Sequence, residues 1–595
     1  MMQACRYNHL GHALNKMIKD TVLRIKLEQG YRVELYPGWD CHGLPIELKA
    51  LGKMQGKPSD AVHLRAVCRQ YAEDAISRQK GDMMRWGLLA DYNHPVLTMD
   101  PAYEAAQLNI FSKFVERGLV FQDRRPVHWS PSSRTALAEA ELEYEDDHIS
   151  TACFVKFPLM EGWEDGRKVS LLIWTTTPWT LPANQAIGIN ANLEYISVKL
   201  NEDETIIIVD SCLQNLSNVA GQDLQVLGHI DKQQLLTFKY LNPWYPNVAN
   251  PVIAVDFVTS DSGTGLVHLA PAHGRDDFLA CRSGNLPERL IVDGEGRYNS
   301  AGPPSLQGKS IFGDGSDQVL QELKEKGLLL ATQEYKHRYP YDWRTKKPVI
   351  QLATPQWFIQ TREIAQELQS ALESVQFIPT SGRRRLSNML SSRTEWCISR
   401  QRSWGVPIPA FYDLVSGEAL IDAEIVRFVA EKVREGGSDV WWTAKVQDLL
   451  PPAKQHLADR LGRGTDTLDV CYDSGTFWKS ASEEVADVYI EGTDQYRGWF
   501  QSSLVTSGTR LSLMSATHLS CIVVAQGRAP FKALVTHGFV LDEKGAKMSK
   551  SLGNVIPPAK IIAGGGTDLL RLWAISSHFT QDIALGAQNI CNSAA

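Results

Sequence analysis

Paired cysteines are missing from this chain: its 10 Cys stand singly, at positions such as Cys41, Cys153, Cys281 and Cys471, with no Cys-x-x-Cys spacing. That excludes a thiolate zinc knot and points to a reducing compartment. Long apolar runs are missing too. The best, 171–174 and 328–330, fall far short of the ~20 residues that span a bilayer. There is no excess of basic charge, since 61 Lys+Arg against 68 Asp+Glu leave a net charge of −7. Any nucleic-acid contact must therefore come from a local patch. The opening Met1-Met2-Gln3-Ala4-Cys5-Arg6-Tyr7 carries neither an apolar signal core nor an Arg- and Ser-rich presequence. Low-complexity segments and internal repeats are absent, and the 44 Gly and 28 Pro are spread along the chain. What the chain has is length: 595 residues make about four domain-sized units at ~150 residues each.

Over 12–29 the apolar residues Leu14, Met17, Ile18, Val22 and Ile25 recur at three- and four-residue steps between Lys16, Lys19, Asp20 and Arg24. This spacing predicts an amphipathic helix. The alternation over 31–36 predicts a strand, stopped by Pro37-Gly38. Helix followed by strand implies a layered α/β core. Helical segments are expected over 58–89 and 101–116. After Thr151 the texture changes to short β-rich runs, over 152–157, 169–174, 196–200, 205–209 and 252–258, with little helical signal until 317–326. These runs predict a β-rich domain inserted into the α/β core, giving divisions at 1–150, 151–335 and 336–595. Helices dominate again from Trp357, with strands near 487–490 and 533–540.

Two motifs carry chemistry. His9-Leu10-Gly11-His12 stands where the first helix begins, and free N–H groups and the positive dipole end there favour phosphate oxygens. Gly11 would let a nucleotide ring approach the backbone. Taken alone, the same four residues read equally as a surface His pair, or as part of a metal site completed by His42. Lys547-Met548-Ser549-Lys550-Ser551 puts two ammonium groups on a Gly- and Ser-bearing loop, which suits a mobile clamp on a polyphosphate. The plain alternative is a solvated basic loop. In this order, flanking a long α/β chain, the pair is far more specific than either motif.

These motifs resemble the HIGH and KMSKS signatures of class I aminoacyl-tRNA synthetases. Between them the chain resembles the isoleucyl-tRNA synthetase family almost throughout: at Pro37-Gly38-Trp39-Asp40-Cys41-His42-Gly43-Leu44-Pro45-Ile46-Glu47, Trp129-Ser130-Pro131-Ser132-Ser133, Trp174-Thr175-Thr176-Thr177-Pro178-Trp179-Thr180, Gly263-Thr264-Gly265-Leu266-Val267-His268, Trp396-Cys397-Ile398-Ser399-Arg400-Gln401-Arg402 and Glu491-Gly492-Thr493-Asp494-Gln495-Tyr496-Arg497-Gly498-Trp499-Phe500. Tyr339-Pro340-Tyr341-Asp342-Trp343-Arg344 is similar to the bacterial and organellar branch, the mitochondrial form in particular. The resemblance implies a Rossmann-type catalytic core with an inserted β-rich editing domain. It also implies ATP-dependent activation of isoleucine, transfer to tRNA(Ile), Mg²⁺ as the ATP counterion, no structural zinc, a monomer, and a mitochondrial matrix or cytoplasmic location. By the same resemblance, His9, Gly11, His12, Lys547 and Lys550 hold the triphosphate, with Glu491 and Asp494 at the adenylate. Asp40 pairs with the substrate α-ammonium, and Gln495 and Trp499 line the amino-acid pocket. Thr175, Thr176, Thr177, Asn184, His268 and Asp277 form an editing pocket for mischarged Val-tRNA(Ile). Such a pocket is needed because one methylene gives a binding site little discrimination, for which isoleucyl-tRNA synthetase is the standard worked example.

Three departures accompany the resemblance. Only Met1 to Asn8 precede His9, so the first strand of the nucleotide fold is expected to be missing; 508–523 matches nothing in the family; and the chain stops at Ala595, before an anticodon-binding domain. These features read as truncation at both ends or mis-assembly, and they leave open a weak or inactive fragment that only deacylates aminoacyl-tRNA or binds RNA. A metal-dependent hydrolase built on His9, His12 and His42 is the alternative from another class. Arg383-Arg384-Arg385 and Arg400-Gln401-Arg402 are candidate RNA contacts, competing with the more common readings of solvated faces or internal ion pairs.

Overall fold

The structure is a computed structural model that describes all residues except 1, 5–7, 55–57, 161–166, 482–483, 509–526, 546–547, 549–553 and 586–595. The chain divides into two compact units, one made of Met1–Gln122 with Trp357–Ala595 and the other of Asp123–Gln356. The expected divisions at 150 and 335 fall inside two long paired strands of the second unit, Leu142–Pro158 and Leu329–Asp342. Cutting there would break one antiparallel ladder, so the β-rich unit is wider than its short central strands suggest.

The first unit contains two three-stranded parallel sheets. One runs Met2–Gln3, Gly38–Asp40, Val96–Leu97; the other runs Gln376–Ile378, Phe531–His537, Ala486–Gly492. Parallel strands need crossovers, and the first is the helix Leu10–Glu28. Its Leu10, Ala13, Leu14, Met17 and Ile18 are buried with Trp39, Cys41 and Ile490, which explains the three- and four-residue spacing.

Two expectations need correction here. No strand forms over 31–36: Tyr31 is 59% exposed, and the ladder instead uses Gly38–Asp40, where Trp39 is fully buried. Alternation without a face to bury does not hold a strand. A strand does precede His9, because Met2 and Gln3 pair with Trp39 and Asp40 and the Ala4 N–H donates to the Asp40 carbonyl at 2.9 Å. Two residues are too few to show any alternation in the sequence.

The second unit is β-rich. A six-stranded sheet has the order Gln225–Ile230, Tyr195–Lys199, Glu204–Val209, Lys168–Thr175, Leu142–Pro158, Leu329–Asp342. A four-stranded sheet has the order Lys239–Asn242, Tyr245–Ala254, Ala186–Ile189, Val267–Leu269. Phe154, Leu172, Ile196, Val198, Ile206 and Ile208 fill the core beside the larger sheet, matching the apolar runs of the sequence. No described helix is long and apolar enough to cross a membrane.

Candidate active sites

In open parallel sheets, ligands bind beyond the carboxyl ends of the strands. In the first unit Asp40 ends Gly38–Asp40, Glu491 and Gly492 end Ala486–Gly492, and His537 ends Phe531–His537. His9 caps the helix that follows the first strand. Its Nδ1 accepts from the Gly11 N–H at 3.1 Å, while the His9 N–H donates to His12 Nδ1 at 3.1 Å. The two rings lie 3.8 Å apart. A Cβ at residue 11 would sit 3.0 Å from the His9 ring, so glycine here makes room for the cap itself. His42 does not join this pair: its ring nitrogens face Asp473 and Glu104. Among the described residues, no group of three or more His, Cys, Asp or Glu side chains is arranged to hold a metal ion.

Asn15 and Lys19, one and two turns into the helix, reach the neighbouring strand end. The Asn15 amide donates to Glu491 Oε2 at 3.0 Å and lies 3.0 Å from His537 Nε2; Lys19 Nζ donates to Glu491 Oε1 at 2.6 Å. Burial alone would raise the Glu491 carboxyl, but the Lys19 and Lys16 ammonium groups outweigh it and hold the group well below the usual carboxylate range. Burial beside Lys19 lowers Lys16 to about 7.

Asp40 stands differently. Its Oδ1 is buried with no hydrogen-bond partner among the described residues, and burial, with Asp473 and Glu491 adding repulsion, raises the carboxyl to about 7. An unpaired buried carboxylate oxygen at a strand's carboxyl end is a ready receiver for a ligand cation. The helix Val470–Gly475 packs against this strand, and its Ser474 carbonyl accepts from Trp499 Nε1 at 2.9 Å. Trp499 is 8% exposed and stacks on Tyr489 at 4.2 Å and 13°. Gln495 Oε1 accepts from the Trp499 N–H at 3.2 Å, and its amide donates to the exposed Asp494 at 3.0 Å. Lys547 and Lys550 lie outside the described residues, as does 509–526.

The basic runs are largely structural. Arg400 pairs with Asp469 at 2.9 Å, Arg402 approaches Glu47 at 3.8 Å, Arg383 donates to the Leu372 and Val375 carbonyls, and Arg385 lies over the Tyr496 ring. Arg400 and Arg402 thus have internal acidic partners.

In the second unit the threonine run ends the strand Lys168–Thr175 and enters the short 3₁₀ helix Pro178–Ala183. Thr175 Oγ1 accepts from the Thr177 N–H at 3.1 Å, with Thr176 half-buried between them. Thr180 Oγ1 meets His268 Nε2 at 2.8 Å, while His268 Nδ1 is buried without a partner among the described residues. Burial, with His273 adding repulsion, lowers His268 to about 4, and burial lowers His273 to about 4. Asp277 Oδ2 accepts from the Ala270 N–H at 2.8 Å, and burial lifts the carboxyl to about 6. Gly274 lies so close that a Cβ there would come within 2.9 Å of Asp277 Oδ2. Asn184 is 1% exposed; it donates to the Ala186 carbonyl and accepts from Tyr240 Oη at 2.6 Å, tying strands of the four-stranded sheet together.

The sequence reading missed Asn15, Lys19, Glu104, Asp473, Thr180 and His273 as partners. Asn15 and Lys19 stood at helical spacing from His12 and were legible as the same face; Glu104 and Asp473 are remote in sequence and gave no local signal.

The family described as tRNA synthetases class I (I, L, M and V) matches residues 4–586, and the chain belongs to that family. Within it, the chain is 43% identical over 603 residues to the isoleucine–tRNA ligase of Synechococcus sp., covering 97% of this chain and 62% of that protein. It is 42% identical over 606 residues to the mitochondrial isoleucine–tRNA ligase of Gallus gallus, covering 97% and 59%. The chain thus spans about three-fifths of the length of the curated relatives it matches. Among solved structures, the Agrobacterium radiobacter K84 agnB2 LeuRS–tRNA–LeuAMS complex aligns at TM-score 0.47 and 18% identity, over 100% of this chain and 71% of that one.

Proposed function

We propose that the first unit activates isoleucine with ATP, forming isoleucyl-adenylate and pyrophosphate, for transfer to tRNA(Ile). The observation that carries this reading is the buried Oδ1 of Asp40, without a hydrogen-bond partner among the described residues, at the carboxyl end of a parallel strand against which the helix Val470–Gly475 packs. Asp40 takes the α-ammonium, and Trp499 with Gln495 borders the apolar side chain, so that the substrate carboxylate faces the α-phosphate. The substrate carboxylate oxygen forms the new bond to that phosphorus, and the bond to the leaving pyrophosphate breaks. The positive end of the helix Leu10–Glu28, with His9 and His12, faces the phosphates, and Lys547 and Lys550 clamp the leaving group. Glu491 and Asp494 border the adenylate, and Mg²⁺ enters with ATP as its counterion. The relatives at 42–43% identity support isoleucine as the amino acid and the mitochondrial matrix or a bacterial-type cytoplasm as the setting.

For the second unit we propose hydrolysis of Val-tRNA(Ile). Asp277 receives the ammonium of the mischarged residue, and the Thr175–Thr177 run shapes the pocket. His268, neutral and held by Thr180, positions the attacking water. Isoleucine-dependent ATP–pyrophosphate exchange by the purified chain tests the first activity, and its absence would overturn that reading. Deacylation of Val-tRNA(Ile) tests the second, and a Thr176→Ala/His268→Ala pair that leaves the rate unchanged would remove the editing assignment.

A further inference from the structure

The chain turns immediately after Asp40, and the turn is held by three hydrogen bonds. The Cys41 N–H donates to Thr98 Oγ1 at 2.9 Å, Trp404 Nε1 donates to the Cys41 carbonyl at 2.7 Å, and the Gly43 N–H donates to the Trp404 carbonyl at 3.4 Å. Gly43 sits at φ +95°, a left-handed conformation that favours glycine. Between these points lies His42, 1% exposed. Its Nδ1 is hydrogen-bonded to Asp473 Oδ2 at 2.8 Å, its Nε2 stands 3.4 Å from Glu104 Oε1 as an ion-pair contact without a hydrogen bond among the described residues, and its ring meets Trp404 edge-on at 5.0 Å.

The other oxygens of both carboxylates are committed. Gln107 donates to Asp473 Oδ1, and Glu104 Oε2 accepts from the Ser438 N–H at 2.8 Å, while the Ser438 hydroxyl donates at 2.6 Å to Oε1, the oxygen that faces His42. The hydroxyl of Tyr103, which also faces this cluster, donates to the Asp473 carbonyl at 2.5 Å. Beyond Ser438 the charge is already balanced, because Arg65 pairs with Asp439 at 2.5 Å. On the sheet side Glu491 is matched by Lys19 at 2.6 Å. That leaves Asp40, Asp473 and Glu104 around one imidazole. Lys16, lowered by burial to about 7, also acts on Asp40 from the first helix; with the imidazole neutral, the three buried carboxylates would lose their nearest cation, and the one with the fewest hydrogen bonds would take up a proton first. Asp40 is that group, and once protonated it could no longer hold an ammonium ion by charge.

We propose that His42 is a positioning residue of the amino-acid site: gripped as an imidazolium by Asp473 and Glu104, it fixes the turn after Asp40 and keeps the Asp40 carboxylate ionised for the incoming ammonium group. This inference rests on the reading of Asp40 as the amino-acid anchor. The titration behaviour agrees: burial would by itself lower His42, but the two carboxylates outweigh it and raise the ring to about 9, while Asp40 sits at about 7.

The test uses the full chain labelled with ¹³Cγ-aspartate and ¹⁵N-histidine, with Asp40 assigned through Asp40→Asn. In the unsubstituted protein the His42 ring should remain protonated at pH 7.5, and the Asp40 signal should show a second inflection where His42 titrates. In His42→Gln the Asp40 midpoint should rise by about one pH unit. The isoleucine KM at pH 7.5 should rise about threefold while the ATP KM stays unchanged, the acid limb of kcat/KM moving with the Asp40 midpoint. A neutral His42 at pH 7.5, or an Asp40 midpoint that does not move, would overturn the proposal. So would a loss of exchange that falls equally on both substrates with an unmoved acid limb. The unsubstituted-protein titration needs no variant, so a His42→Gln protein that fails to fold still leaves a decision. If the unsubstituted chain shows no exchange, the activation reading falls, and the two resonances still decide whether His42 governs Asp40.

Discussion

In the first unit His42 lies between the carboxylates of Asp473 and Glu104, whereas in the second His268 and His273 lie against a threonine hydroxyl, a backbone carbonyl at 3.4 Å and the Trp179 ring. All three rings are buried, yet the first is raised to about 9 and the other two are lowered to about 4. Burial penalises the charged form in every case; what differs is whether an anion stands within hydrogen-bond reach. The contrast suits the chemistry proposed for each unit. One site holds charged substrates and must keep its own charges in order, while the other positions a water and needs an imidazole that stays neutral across physiological pH.

The comparison can be broken most forcefully from the first unit's packing. Trp499→Ala should remove about 3–5 kcal/mol of stability, because it deletes an indole stacked on Tyr489 inside the core. Hydrogen exchange should rise in the peptides of that unit and stay unchanged across Asp123–Gln356; equal loosening of both would show the units to be one cooperative block. Asp40→Asn should lower isoleucine-dependent exchange at least about 100-fold, the cost of losing a charge-assisted contact of about 3 kcal/mol, with Val-tRNA(Ile) deacylation unaffected. Exchange retained at half its rate would exclude Asp40 as the anchor.

Thr180→Val removes the only described partner of His268 Nε2, at 2.8 Å, with little change in volume. Deacylation should fall about tenfold and ATP–pyrophosphate exchange should not change. The smallest effects, and the sharpest for the comparison, are in pH. A ring raised in the folded state contributes stability that is complete below its unfolded value near 6.5 and is lost as pH rises through about 9. A buried ring lowered in the folded state contributes stability complete above about 6.5, lost as pH falls toward about 4. After correction for the intrinsic pH dependence of exchange, protection should therefore weaken several-fold around His42 on the alkaline side and around His268 on the acid side. The same direction of change in both places would refute the charge assignment.

How far the sequence was legible depends on how local each signal was. The first helix showed itself through Leu14, Met17 and Ile18, and the β-rich unit through apolar runs that became the core of its larger sheet. The 31–36 stretch misled, because alternation predicts a strand only where one face is covered, and Tyr31 is exposed. Asp40, Trp499 and His268 were found through motifs, and the structure adds the company each one keeps. Asn184 stood in a motif and proves to hold Tyr240 and the Ala186 carbonyl.

By itself, then, the sequence determined the α/β core interrupted by a β-rich unit, the helix start at His9 and the residues able to do chemistry, since period, capping and composition act over a few residues. Only the tertiary structure decided their states. Asp473 is 431 positions from His42, and Thr180 is 88 from His268. Whether a buried histidine carries a proton depends on such distant partners, because charge is stabilised by what surrounds it in space, and no local pattern encodes that.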